Sequence, residues 1–173
     1  MEKLNTVYFS LGSNIEGRYE FLIKACKALN KVVEIQEVSP IYETPPLGFT
    51  AECDFLNLVI KGITDLEPEN LLMKINQIEK DLGRKPNNDN SYDSRVIDLD
   101  IIFYNSLIIK SDALTLPHPR YKERNFVLQP LVDLSPNMTD PETHETVSEL
   151  LNQSNDNSFI IHWEKSINTD ELI

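Results

Sequence analysis

The segment Asp54-Phe55-Leu56-Asn57-Leu58-Val59-Ile60-Lys61-Gly62-Ile63-Thr64 is followed by Pro68-Glu69-Asn70-Leu71-Leu72-Met73-Lys74-Ile75-Asn76-Gln77-Ile78-Glu79-Lys80-Asp81-Leu82-Gly83, and the hydrophobic period changes between them. In the first, Phe55, Asn57, Val59 and Lys61 share one face and Leu56, Leu58, Ile60 and Gly62 the other, the period of two of a strand. In the second, Leu71, Ile75, Ile78 and Leu82 make one helical face. Pro68 suits the first helical turn, Glu67 and Glu69 complement the helix dipole there, and Gly83 can end the helix.

Upstream, Val32 to Tyr42 reads as a strand, ended by Thr44-Pro45-Pro46-Leu47-Gly48 because proline donates no ladder hydrogen bond. Residues 16–31 read as a helix carrying Phe21, Ala25, Ala28 and Leu29. Thr6 to Leu11 reads as a strand broken by Gly12-Ser13-Asn14. Downstream, Lys85 to Ser91 is a polar loop and Val96 to Tyr104 a nearly continuous apolar strand. Leu107 to Ile109 offers a short strand, Phe126 to Leu134 a helical or turn segment, and Thr146 to Leu151 a small helix with Thr146 as cap. Phe159 to Trp163 reads as an edge strand or an interface. Strand, helix, strand, strand, helix, strand predicts an α+β fold: a ferredoxin-like βαββαβ antiparallel sheet with helices packed on one side and extra C-terminal elements.

With 173 residues the chain is expected to form one domain, 1–173. Its charge of −12, from 28 acidic and 16 basic residues, argues against a nucleic-acid backbone binder but leaves room for a local anion site. No apolar run approaches the ~18 residues of a membrane span, and the first ten residues lack the pattern of a signal peptide. Cys26 and Cys53 match no zinc spacing and read as reduced thiols, so a cytoplasmic location is expected.

Asp98-Leu99-Asp100 is the first candidate for chemistry. Strand alternation points both aspartates to one face, among flanks that mark a buried strand. Two such carboxylates need cationic neutralisation, by Mg²⁺ or by salt bridges, and both readings stand at this point. Of five arginines, Arg84, Arg95, Arg120 and Arg124 bracket this pair, suggesting phosphate or ordinary surface pairing. Pro117-His118-Pro119-Arg120 holds a histidine in a rigid loop, either structural or a donor to a phosphate or leaving group. Phe55 and Phe126 are core residues or the two sides of a flat heteroaromatic site, with Asn57 reading its edge.

In order, the chain carries Leu11-Gly12-Ser13-Asn14, Tyr42-Glu43-Thr44-Pro45-Pro46-Leu47-Gly48, Phe55-Leu56-Asn57, Ile78-Glu79 and Leu82-Gly83-Arg84. Arg95-Val96-Ile97-Asp98-Leu99-Asp100-Ile101, Pro117-His118-Pro119-Arg120 and Glu123-Arg124-Asn125-Phe126-Val127-Leu128 complete the set. This combination resembles the 6-hydroxymethyl-7,8-dihydropterin pyrophosphokinase family, over roughly residues 5–137. The resemblance implies transfer of the pyrophosphoryl group of ATP to the hydroxymethyl oxygen of the dihydropterin, releasing AMP, in folate biosynthesis. It implies two Mg²⁺ ions on Asp98 and Asp100, with Arg84 and Arg95 also in the catalytic set. It implies ATP contacts from Glu79, Arg84, Arg95, Ile101, Thr115, His118 and Arg124. Pterin contacts would come from Thr44, Pro45, Leu47, Phe55, Asn57, Asp98 and Phe126.

Two positions depart from the family's pattern: Pro86 stands where a second arginine is frequent, and Asp93-Ser94 where Gly-Pro is frequent. The tail 155–173 matches no part of the family. Two other readings compete. A small two-metal nucleotidyltransferase would share the carboxylate pair but release pyrophosphate. A ferredoxin-like RNA-binding or ligand-sensing module would not need that pair. Docking to other folate enzymes has no signature in the sequence.

Overall fold

The elements run β1 (Asn5–Ser13), α1 (Arg18–Leu29), β2 (Glu34–Val38), β3 (Tyr42–Thr44), β4 (Phe55–Thr64), α2 (Pro68–Asp81), β5 (Asp98–Tyr104), β6 (Ile109–Lys110), β7 (Thr115–Leu116), α3 (Asn125–Leu134), α4 (Val147–Gln153) and β8 (Ile161–His162). They come from a computed structural model that describes residues 4–85 and 94–172. The main sheet is antiparallel, in the order β5-β1-β4-β3-β8, with β2 also paired to β4. Its central part has the strand order that the ferredoxin-like expectation requires.

The segment read as one strand over Val32–Tyr42 is two strands laid end to end along β4. Pro40 interrupts it because it has no N–H to donate. Ser39 closes the gap: its N–H donates to the Val59 carbonyl and its Oγ accepts from the Val59 N–H, both at 2.9 Å. At the other edge of β3, Ile161 and His162 pair with Glu43 and Tyr42, so the apolar tail segment is an edge strand.

One sheet face carries Leu56, Leu58, Ile60, Leu99 and Ile101 against α1 and α2. Helix α1 buries Leu22, Ala25, Cys26 and Leu29; α2 buries Leu71, Ile75 and Ile78, with Glu79 in place of the expected Leu82, which is only half-buried. The expectation of helices on one side holds for this pair alone. Helices α3 and α4 cover part of the opposite face, where Val127, Leu128, Leu131, Val147 and Leu150 pack on Tyr8, Val59, Ile102 and Phe103. Helix α3 contains Pro130, and α4 starts from Thr146 in a full capping box with Glu149.

Two strand limits differ from the sequence reading in a way that shapes the site. Strand β1 continues through Gly12 and Ser13, because both remain in register with Asn57 and Leu56 of β4. Strand β5 bulges: Tyr8 pairs with Phe103 and Phe9 with Ile101, so Ile102 has no ladder partner. Before the bulge, Asp98, Asp100 and Ile102 line the cleft described below; after it, Phe103 turns to the α3 side and Tyr104 to the α1–α2 core. The short strand expected at Leu107–Ile109 is confined to Ile109–Lys110, paired with β7.

Candidate functional site

Where α3 and α4 leave the sheet uncovered, the ends of β1, β3, β4 and β5 form the floor of a cleft of about 760 Å³. Its walls come from the loop after β3, the segment after β7 and the start of α3. Thr44, Pro45, Leu47, Phe55, Asn57 and Phe126, the residues expected at a flat heteroaromatic ligand, all line it. So do Arg84, Arg95, Asp98, Asp100, His118 and Arg124. A second cavity of about 350 Å³ adjoins it and is lined by Glu79, Ile101 and Thr115, the remaining expected contacts. Arg84, Asp100 and His118 line both, so they mark the border between the two spaces.

The aromatic end is built on cross-strand pairing. Asn57 is 2% exposed, and its amide donates to Thr44 Oγ1 at 2.8 Å, leaving the carboxamide held in one orientation. Gly12 is its partner across the ladder. A Cβ at Gly12 would stand 2.8 Å from Asn57 Oδ1 and 3.6 Å from the Phe55 ring, so a side chain there would press into the floor. Phe49 meets Phe55 edge-on with centroids 6.2 Å apart, and the Arg124 guanidinium lies 5.6 Å from the Phe126 ring centroid.

The polar end is an ion-pair network. Asp98 Oδ1 lies 3.0 Å from Nη1 of both Arg84 and Arg95. Arg84 also pairs with Glu79, whose Oε1 accepts the Leu99 N–H at 2.7 Å. One buried carboxylate of α2 therefore tethers both the arginine after its own helix and the backbone between the two aspartates. Burial raises the Glu79 pKa against the pull of Arg84. Withdrawal from water, then the charges of Asp98 and Glu79, push Asp100 up to about 7 against Arg124 and Arg84. Such a carboxylate would take up a cation readily.

His118 is pushed the other way, down to about 4, first by burial and then by Arg124. Its Nδ1 accepts the Arg120 N–H at 3.2 Å, which leaves Nε2–H as the donor of a neutral ring. The Nδ1 bond fits the structural reading of this histidine, and a neutral ring with a free Nε2–H is suited to donating a hydrogen bond rather than a proton. The Leu116–Pro117 bond that precedes it is cis.

Arg18 takes no part: it donates to the Asp54 carbonyl at 2.5 Å, pairs with Glu43 and lies over the Trp163 ring. Ser10, Gly12, Phe49, Ile102 and Val127 line the cleft although sequence reasoning gave them no site role. Gly12 and Val127 had a readable signal, since both lie within motifs quoted for the resemblance. Pro86 and Asp93, where the chain departs from the family's pattern, lie outside the described residues.

A carboxylate pair facing several guanidiniums, with an aromatic, amide-lined end beside it, defines an enzyme that transfers phosphate groups. The family profile described as 7,8-dihydro-6-hydroxymethylpterin-pyrophosphokinase matches residues 8–136. The 2-amino-4-hydroxy-6-hydroxymethyldihydropteridine pyrophosphokinase of Bacillus subtilis is 34% identical over 171 residues, 98% of this chain and 96% of its own. That of Aquifex aeolicus is 38% identical over 144 residues, covering 83% and 89%. The folic acid synthesis protein FOL1 of Dictyostelium discoideum is 43% identical over 146 residues; these are 84% of this chain but 22% of that protein. A crystal structure of Plasmodium falciparum HPPK-DHPS aligns with a TM-score of 0.72 at 17% identity over 88% of this chain and 46% of the other, a likeness of fold. The chain belongs to the 7,8-dihydro-6-hydroxymethylpterin-pyrophosphokinase family, and so to the ATP-dependent pyrophosphokinases.

Proposed function

We propose that this chain transfers the β,γ-pyrophosphoryl group of ATP to the hydroxymethyl oxygen of 6-hydroxymethyl-7,8-dihydropterin, releasing AMP, as a step of folate biosynthesis. One observation carries the reading: a single cleft joins the carboxylate and arginine cluster to the Thr44, Phe55, Asn57 and Phe126 end. The pterin takes that end, stacked by the phenylalanines, with Asn57 and the backbone of residues 44–47 at its polar edge. Glu79, Ile101 and Thr115 take the nucleoside in the second cavity. The phosphates then cross the border at Arg84, Asp100 and His118.

Asp98 and Asp100 suit Mg²⁺: they are hard oxygen donors on one strand face, and Asp100 is poorly solvated as an anion. Among the described residues no group of three or more His, Cys, Asp or Glu is arranged around a metal. Two carboxylates match an ion that keeps water and substrate oxygens as further ligands, and we assign two such ions to them. Bound there, Mg²⁺ supplies charge neutralisation on the phosphates and acidifies the attacking hydroxyl.

The chain's own work is alignment and electrostatics. The hydroxymethyl oxygen bonds to the β-phosphorus as the bond from that phosphorus to the α,β-bridging oxygen breaks. That oxygen leaves on AMP. Arg84, Arg95 and Arg124 take up the developing charge, and His118 donates from Nε2. The hydroxyl proton passes to water, and no side chain is its indispensable acceptor. The connections from β1 to α1 and from β3 to β4 close over the substrates and exclude water. We also place the chain in the cytoplasm, a reading supported by the free thiols of Cys26 and Cys53.

Incubation with ATP, Mg²⁺ and the hydroxymethyl dihydropterin tests the reaction. Pterin-dependent AMP is the expected nucleotide product. Release of pyrophosphate would favour a nucleotidyltransferase, and ADP would overturn the group transferred.

A further inference from the structure

Arg120 has no part in the function proposed above, yet it lines the large cleft. We propose that its guanidinium holds the pyrophosphoryl group as that group passes from nucleotide to acceptor. The inference rests on the reading of the cleft as a pyrophosphokinase site.

Its placement is the first argument. Arg120 and Arg124 line the large cleft and not the second cavity, whereas Arg84, Asp100 and His118 line both. With the nucleoside in the second cavity, the α-phosphate lies at that border and the β- and γ-phosphates lie beyond it. Arg120 is on the far side, with the transferred half of the chain.

Anchoring is the second. The Arg120 N–H donates to His118 Nδ1, and the next residue, Tyr121, is 1% exposed and donates its hydroxyl to the buried Asp140. The backbone beneath the side chain is therefore held while the side chain itself is exposed.

Charge is the third. Arg120 pairs with Glu123 at 3.5 Å between two partly solvated side chains, a long contact of the kind that exchanges readily for a phosphate. Arg124 is held below its ordinary pKa, by burial first and by Arg120 next. Two guanidiniums that repel each other across a cleft wall gain when a polyanion binds between them.

The test compares wild type, Arg120→Gln, Arg120→Lys and Glu123→Gln, each with Mg²⁺, for binding of α,β-methylene-ATP and of AMP. The expected result is about a tenfold weaker Kd for the analogue in Arg120→Gln, with AMP unchanged. Arg120→Lys should recover part of the loss, because a point charge replaces a fork. Glu123→Gln should bind the analogue at least as tightly as wild type. In turnover, KM for ATP should rise while kcat stays within about threefold. Wild-type binding of the analogue by Arg120→Gln would overturn the inference, as would equal losses for the analogue and AMP. Failure of the wild type to form AMP would instead strike the pyrophosphokinase reading itself.

Discussion

The two faces of the central sheet are built from the same strands and do opposite things. Toward α1 and α2, Leu56, Leu58, Ile60, Leu99 and Ile101 form an apolar layer that is almost wholly hidden from water. The other face is apolar beneath α3 and α4; at the strand ends it carries Ser10, Gly12, Asn57, Asp98 and Asp100 beside Phe55. The first face lowers the free energy of the fold. The second holds charges that the empty fold would be more stable without, which is the usual mark of a site kept for a ligand.

Asp100→Asn probes that contrast most strongly. AMP formation should fall by at least ~10³-fold, about 4 kcal/mol in the barrier. The ligand-free protein at pH 7 should melt roughly 2–4 °C higher, because a poorly solvated carboxylate has been neutralised. A lower melting temperature would mean that Asp100 stabilises the fold. Leu58→Ala, on the opposite face, should cost about 2–5 kcal/mol in denaturant unfolding and leave KM values near wild type in the folded fraction.

Asp140 separates a structural charge from a functional one. It is 0% exposed and accepts from the Glu142 and Thr143 N–H groups at 2.7 and 2.8 Å, from Tyr121, and from Lys122 at 3.0 Å. These bonds hold its pKa below 3.8 despite burial. Its contribution is therefore present above that value and fades as pH falls through the lower folded-state pKa. Asp140→Asn should cost about 2–3 kcal/mol of stability at pH 7, with kcat little changed.

At His118 the effect is read as a slope with pH. Its pKa is about 4 folded against 6.5 unfolded, so the unfolded chain binds more protons between those values. Stability from this group is full above 6.5 and is lost as pH falls toward 4. The stability difference between wild type and His118→Asn should therefore rise with pH across that window, by up to about 1.4 kcal/mol per unit. A flat difference would show that the ring is not held neutral.

The helix-facing side of the sheet was legible because burial enforces the period: Leu56, Leu58 and Ile60 read correctly from alternation alone. The carboxylate face of β5 read correctly for the same reason. Both helices of the second layer were legible, α4 with its Thr146 cap and α3 as a helical or turn segment, but their place on the opposite face was not, because it depends on packing against Tyr8, Val59, Ile102 and Phe103. The bulge at Ile102 has no local signal; it follows from the register with β1. The cleft could be assembled only by resemblance, since Arg84, Arg95, His118 and Phe126 come from segments distant in sequence. The clustering of Arg84, Arg95, Arg120 and Arg124 around the aspartates did set the cleft-lining Arg120 apart from Arg18, which is spent on Glu43, the Asp54 carbonyl and Trp163.

The most direct test of this division of labour is Asp98→Ala, scored on product and on melting temperature together. Pterin-dependent AMP should disappear while the melting temperature stays within a few degrees of wild type. Retained AMP formation, or loss of the fold along with the activity, would contradict the claim that this face is kept for chemistry.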